Sequence, residues 1–147
     1  MCLAMTVQLK QPLGNRISEI TREGTLSITE RKNWRGNPAG LLILSEPGKG
    51  CACSMLTDDA EWGKPQWDMR AEVLSRIAAT LKNIAAIASE GFEFESLWIG
   101  DKADKTEVIT IEDMLRIVRS GKIGQKTRYQ IRSRTRASNG SPKAGSR

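Results

Sequence analysis

A polar stretch near the middle of the chain combines carboxylates with tryptophans. It contains Asp58, Asp59, Glu61, Trp62 and Trp67. Carboxylates beside a tryptophan can bind a hard cation or a basic partner, and tryptophan is enriched at the energetic centres of protein interfaces. In the alternative interpretation, the tryptophans anchor the loop on the core and the acids face water. We predict that these five residues form a partner-binding surface, and we predict no metal site.

Arg70 follows this stretch, at the start of a predicted long helix. Its helical phase places it on the apolar side of the first turn. The free amides and the dipole at a helix N-terminus favour an anion, so Arg70 could hold a small anionic ligand there. The alternative is a long side chain that reaches solvent at the helix end. We include Arg70 among the predicted partner-binding residues.

The chain contains three cysteines, two of which are separated by a single residue. If Cys51 and Cys53 lie on a strand, both thiols point to the same face, an arrangement that suits metal or redox chemistry. A structural zinc site needs about four ligands, whereas only Cys2 remains and the chain has no histidine. We therefore expect buried structural cysteines, and we predict no cofactor.

The absence of histidine excludes several classes of enzyme. It removes the Ser-His-Asp and Cys-His constellations and the commonest general base. The glycines on either side of Lys49 do not form a phosphate-binding loop, because the full spacing and the following helix are missing. An enzyme would have to use carboxylates, lysine, tyrosine, cysteine or a hard metal ion. We predict no catalytic residues.

The net charge of +6 is unevenly distributed along the sequence. Residues 1–113 contain 13 basic and 17 acidic side chains, whereas residues 114–147 contain 10 basic side chains and no acidic one. This asymmetry indicates a slightly acidic body that carries a basic arm. Basic side chains of the arm could contact phosphates in a sequence-independent manner. The candidate nucleic-acid-binding residues are Lys122, Lys126, Arg128, Arg132, Arg134 and Arg136.

The interpretation of the basic arm has an alternative. Tyr129 is the only aromatic residue among these basic side chains, so base stacking has little support. Residues 133–147 have no apolar period and are rich in serine, glycine and arginine, which predicts a disordered tail. Such a tail could be solvated and have no binding role.

Hydrophobic periodicity predicts the elements that must position these residues. An apolar stripe in steps of three and four predicts a helix from Met69 to Glu90, with Asp68 as its N-cap and Gly91 at its end. A second helix begins at Thr110, where Thr110 and Asp113 have the spacing of a capping box. Alternating or continuously apolar segments predict strands, and these segments are Thr6–Lys10, Leu26–Ile28, Leu41–Leu44, Cys51–Leu56, Phe92–Ile99 and Thr127–Ile131.

The predicted fold class is α+β. An antiparallel β-meander or a mixed sheet would pack against one long amphipathic helix and one shorter C-terminal helix. The 147 residues are enough for one compact domain, which we place at residues 1–132, with residues 133–147 as the tail. The longest apolar run, from Ala39 to Leu44, is too short to span a membrane. The odd number of cysteines and the lack of a secretory signal favour the cytoplasm.

These observations favour a small, non-enzymatic, cytosolic binding protein of the bacterial or phage accessory, inhibitor or immunity type. Its partner would be a protein or a small ligand. The first alternative is a nucleic-acid-binding protein that uses the basic arm, and the second is an enzyme that uses carboxylates and a divalent metal ion. An unpaired edge of the sheet could also form a homodimer.

Overall fold

The computed structural model describes residues 2–31 and 40–132. In this part of the chain, six strands form one sheet and three helices pack beside it. The strands are β1 (Leu3–Leu9), β2 (Ser27–Arg31), β3 (Leu41–Ser45), β4 (Phe92–Trp98), β5 (Lys105–Ile109) and β6 (Thr127–Ile131). The helices are α1 (Ile17–Ile20), α2 (Ala71–Ile87) and α3 (Ile111–Arg119).

The sheet has the strand order β2-β3-β1-β4-β6-β5. Neighbouring strands are antiparallel except for β5 and β6, which are parallel and are connected through α3. The predicted α+β class is confirmed, and the sheet is of the mixed kind. β2 and β5 are the edges of the described sheet, and the homodimer stays a prediction.

The N-terminal third is not a simple meander, because β1 pairs with β3 and β4 rather than with β2. Its alternate residues Leu3, Met5, Val7 and Leu9 are all buried, which suits a central strand. The strand predicted at Cys51–Leu56 is also wrong, because Cys53–Met55 forms a 3-10 turn. Ala52 and Met55 are both fully buried. A spacing of three places two side chains on one side of a helical turn but on opposite sides of a strand.

α2 is the predicted long helix, but it begins at Ala71 rather than at Met69. Asp68 is not its N-cap. The Asp68 carbonyl accepts from the Thr57 amide at 2.9 Å, and the Arg70 amide donates to the Met55 carbonyl at 2.9 Å. These hydrogen bonds hold residues 68–70 extended, so Arg70 occupies the N-cap position. Gly91 adopts a φ of 83° in the turn that follows the helix.

The two surfaces of the sheet differ in what covers them. We call the surface under α2 and α3 the packed face; it presents buried side chains such as Val7, Phe94 and Tyr129. The helices touch one another, since α2 contacts both α1 and α3. The opposite surface, the open face, presents partly exposed side chains such as Thr6 and Glu95. Within residues 2–31 and 40–132, no helix is both long and apolar enough to cross a membrane.

α3 has the N-terminal cap that its sequence predicts. The Asp113 amide donates to Thr110 Oγ1 at 3.1 Å. Arg116 Nη1 donates to Asp113 Oδ1 at 2.6 Å, and this is the leading cause of a pKa below the ordinary range for the Asp113 carboxyl. The buried residues of α3 are Ile111, Met114, Leu115 and Val118, which are spaced to form one apolar stripe.

Candidate functional site

The loop before α2 is fixed to the body of the protein at several points. Trp67 is 3% exposed, and its Nε1 donates to the Ser96 carbonyl at 2.9 Å. The Gln125 side chain donates to the carbonyls of Glu61 at 2.9 Å and Gln66 at 3.2 Å, and it accepts from the Gly63 amide at 3.1 Å. One amide side chain therefore clamps three points of the loop.

Trp62 occupies the outer end of a row of three tryptophans. Its indole ring stacks on that of Trp98, with ring centroids 5.3 Å apart and an interplanar angle of 29°. Trp98 in turn meets Trp67 edge to face, at 5.6 Å and 78°. Trp62 is nevertheless 57% exposed. The row extends from the buried Trp67 to the exposed Trp62, and stacking on Trp98 restrains the Trp62 ring at the surface.

Three acidic residues of the loop precede this tryptophan within four positions of the sequence. Asp58, Asp59 and Glu61 are all exposed. Lys64 forms an ion pair with Glu61 at 3.5 Å, whereas Asp58 and Asp59 have no basic partner among residues 2–31 and 40–132. We define the tryptophan surface as Trp62, Asp58, Asp59 and Glu61. Trp62 borders a cleft of about 470 Å³ whose wall also includes Trp67 and Trp98.

Arg70 lines the same cleft, but its guanidinium group is engaged by protein groups. Nη2 lies 2.5 Å from Glu46 Oε2, Nη1 lies 2.5 Å from Glu72 Oε2, and Nε donates to the Ser54 carbonyl at 3.1 Å. Partial burial raises the pKa of Glu46, but hydrogen bonds from Ser54 and Arg70 outweigh that effect and lower the pKa. In this arrangement Arg70 connects the end of β3 to the start of α2.

The candidate nucleic-acid-binding residues do not form one patch in the described part of the chain. On the open face, Arg128 Nε lies 2.5 Å from Glu95 Oε2 and 3.8 Å from Glu93 Oε1. Lys122, Lys126 and Arg132 are exposed. Lys126 and Arg132 flank β6 at opposite ends, which separates their backbones by roughly 20 Å at about 3.3 Å per residue. Arg134 and Arg136, with the predicted tail 133–147, lie outside the described residues.

The structure brings all three cysteines together. The sulfur atoms of Cys2, Cys51 and Cys53 lie within 4.8 Å of one another, and we call this group the thiol cluster. Cys2 is exposed, whereas Cys51 and Cys53 are half-buried rather than fully buried as expected. The backbone amide of Cys53 is the leading cause of a lowered pKa at the Cys51 thiol, whereas burial raises the pKa of Cys53.

Sequence reasoning did not identify this cluster. Cys2 is distant from Cys51 and Cys53 along the chain. The pairing that connects them is long-range, because the Ala52 amide donates to the Leu3 carbonyl at 3.1 Å. A short Cys-x-Cys motif and a third cysteine next to a strand are the available sequence signal, and neither specifies that contact.

Comparison of the chain with protein-family models, with curated proteins and with solved structures gave no match.

Proposed function

We propose that this protein is a non-enzymatic binding protein of the accessory, inhibitor or immunity class, and that it recognises a protein partner through the tryptophan surface. The observation that carries the proposal is the environment of Trp62. Its ring is more than half exposed, yet it stacks on Trp98 within a loop that Gln125 clamps. Tryptophan is one of the residues enriched at the energetic centres of protein interfaces.

Pre-ordering of Trp62 favours binding for an entropic reason. A side chain that is mobile in the free protein loses rotamer freedom on association, which opposes binding by about 0.5–1.5 kcal/mol. Stacking on Trp98 limits that freedom before a partner arrives. Trp67 anchors the row in the core through its hydrogen bond to Ser96, so the geometry of the exposed ring is set by folding.

The charge near Trp62 supports a particular chemistry for the partner. Asp58 and Asp59 face water without a basic neighbour among the described residues, and Glu61 is compensated only by exposed Lys64. The proposed partner therefore presents an apolar pocket for the indole, surrounded by lysine or arginine. Such charge complementarity increases the rate of association more than the affinity, and its effect weakens with added salt.

The other two functions have less support. Arg128 is paired with Glu95, and the exposed basic side chains near β6 are dispersed, so a nucleic-acid interface has no continuous surface in the described residues. The three acids near Trp62 point to solvent, and none of them belongs to a group of potential metal ligands in that part of the chain. A carboxylate-based metal enzyme therefore lacks a site there.

The test is capture of a partner with the tagged full chain, in parallel with two variants. Trp62→Ala removes the exposed ring, and Val108→Ala is the matched control because Val108 is 55% exposed on the distant strand β5. We expect the parent and Val108→Ala to capture the same protein after crosslinking. We expect Trp62→Ala to bind that purified partner about 30-fold more weakly or worse, which corresponds to the roughly 2 kcal/mol of a typical hot spot.

Thermal unfolding of each variant checks that Trp62→Ala remains folded. Two results would contradict the proposal: no captured protein after crosslinking, or equal affinity of the parent and Trp62→Ala for the captured protein.

A further inference from the structure

The geometry of the thiol cluster suits a single ion. A metal ion with bonds of about 2.3 Å to sulfur holds its thiolates roughly 4 Å apart. The three sulfur atoms already lie within 4.8 Å of one another. A single ion would therefore require the three sulfurs to approach one another by less than about 1 Å.

Backbone hydrogen bonds hold the segments that carry the thiols. Ala52 lies between Cys51 and Cys53 and is fully buried. Its amide donates to the Leu3 carbonyl at 3.1 Å. On the other side, the Cys2 carbonyl accepts from the Ile99 amide at 2.8 Å. The arrangement is therefore a product of the sheet rather than of a chance contact between mobile side chains.

An amide hydrogen bond also reaches one of the sulfurs directly. The Leu3 amide donates to Cys53 Sγ at 3.1 Å. Hydrogen bonds to ligating sulfurs orient them and stabilise their negative charge, as outer-shell partners do in metal sites.

The number of ligands indicates which ion the site suits. The chain has no histidine and no fourth cysteine, and no carboxylate of the described residues belongs to the cluster. A structural zinc site uses four protein ligands, whereas soft thiolates also select Cu(I). We propose that Cys2, Cys51 and Cys53 form a three-coordinate site for a thiophilic cation, and that Cu(I) is the ion it fits best. This inference does not depend on the tryptophan surface.

An ion can reach the site from solvent. Cys2 is exposed, and Cys51 lines a cleft of about 430 Å³ together with Leu97 and Trp98. Each thiol that binds the ion releases its proton to solvent, and no electron is transferred.

The test is a titration of the reduced full chain with Cu(I) without oxygen, in competition with a chromophoric Cu(I) chelator. We expect one ion per chain and a thiolate-to-copper charge-transfer band in the ultraviolet. Each of Cys2→Ser, Cys51→Ser and Cys53→Ser should weaken binding by more than about 100-fold, beyond the usual effect of losing an outer-shell partner. Ser54→Ala, which alters a neighbouring side chain that carries no sulfur, should retain the affinity of the parent.

Cys2→Ser is the decisive variant, because Cys2 is exposed before β1 and its substitution leaves the core intact. Unchanged affinity in Cys2→Ser would reject the three-thiol site, as would a stoichiometry other than one. A zinc titration provides the comparator. Tight zinc binding with no retention of Cu(I) would contradict the proposed preference for a three-coordinate ion.

Discussion

The packed face and the open face are formed by the same strands, yet they differ in the polarity and the solvent exposure of their side chains. Val7, Phe94 and Tyr129 are neighbours across three strands of the packed face, and each is at most 2% exposed. One residue away on the open face, the neighbours are Thr6, Glu95 and Arg128, which are polar and partly exposed. A step of one residue along a strand therefore separates positions that stabilise the fold from positions that meet solvent.

The largest expected difference between the faces concerns Phe94. Phe94→Ala removes a fully buried ring that stacks with Tyr129 at 6.4 Å. We expect the free energy of unfolding to fall by about 3–5 kcal/mol. Thr6→Ala on the adjacent strand is the control, and it should change that free energy by about 0.5 kcal/mol or less. Urea unfolding monitored by tryptophan fluorescence measures both, and similar losses in the two variants would remove the distinction between the faces.

A smaller effect on the free energy of unfolding is expected at Glu46, whose ion pair with Arg70 connects the end of β3 to the start of α2. Glu46 lies beyond β3, and its pKa is lowered by its hydrogen bonds with Ser54 and Arg70 despite opposing burial. The carboxylate therefore stabilises the fold above its unfolded pKa, near 4.5, and this contribution is lost as the pH falls through the lower folded value.

Glu46→Gln should consequently be less stable than the parent at neutral pH. The difference in unfolding free energy should shrink steadily as the pH falls below about 4.5, because the parent then loses its charge too. Chemical unfolding between pH 7 and pH 3 provides the measurement. A difference that stays constant over this range would show that the charge of Glu46 contributes nothing.

The smallest effect is expected for the ion pair on the open face. Arg128 and Glu95 are 43% and 20% exposed at their side chains, so solvent screens their attraction. A double-mutant cycle with Arg128→Gln and Glu95→Gln should give a coupling energy of about 0.2–1 kcal/mol, which decreases with added salt. A coupling energy comparable with the loss in Phe94→Ala would place this pair among the main determinants of stability.

The sequence predicts best those elements whose pattern is local. The apolar stripe of α2, the cap of α3 at Thr110 and the alternation of β6 are all visible in short windows, and all are present. The start of α2 could not be predicted in this way. The extended conformation of Asp68 and Arg70 depends on hydrogen bonds to residues 55–57, which no local pattern specifies.

The same contrast between local sequence patterns and tertiary contacts applies to the candidate site. Trp62 and Trp67 both lie in a polar stretch of the sequence, and tertiary contacts with Ser96 and Trp98 accompany the burial of one and the exposure of the other. Cys2 lies 49 positions before Cys51, so their proximity follows from the sheet topology rather than from any motif. The helical phase of Arg70 predicts a place on the long helix, but Arg70 lies just before α2, and its ion pair with Glu46 depends on tertiary structure.

The central position of β1 has a consequence for how the chain folds. β1 pairs along its whole length with β4, some 90 residues later in the sequence. β1 can pair with β3 once residues 41–45 are available, but its pairing with β4 must wait until most of the described chain has been synthesised. Contacts of such long sequence separation slow folding, because the entropy of loop closure opposes them before they gain stability. β1 is thus fully paired only once the chain as far as β4 is available.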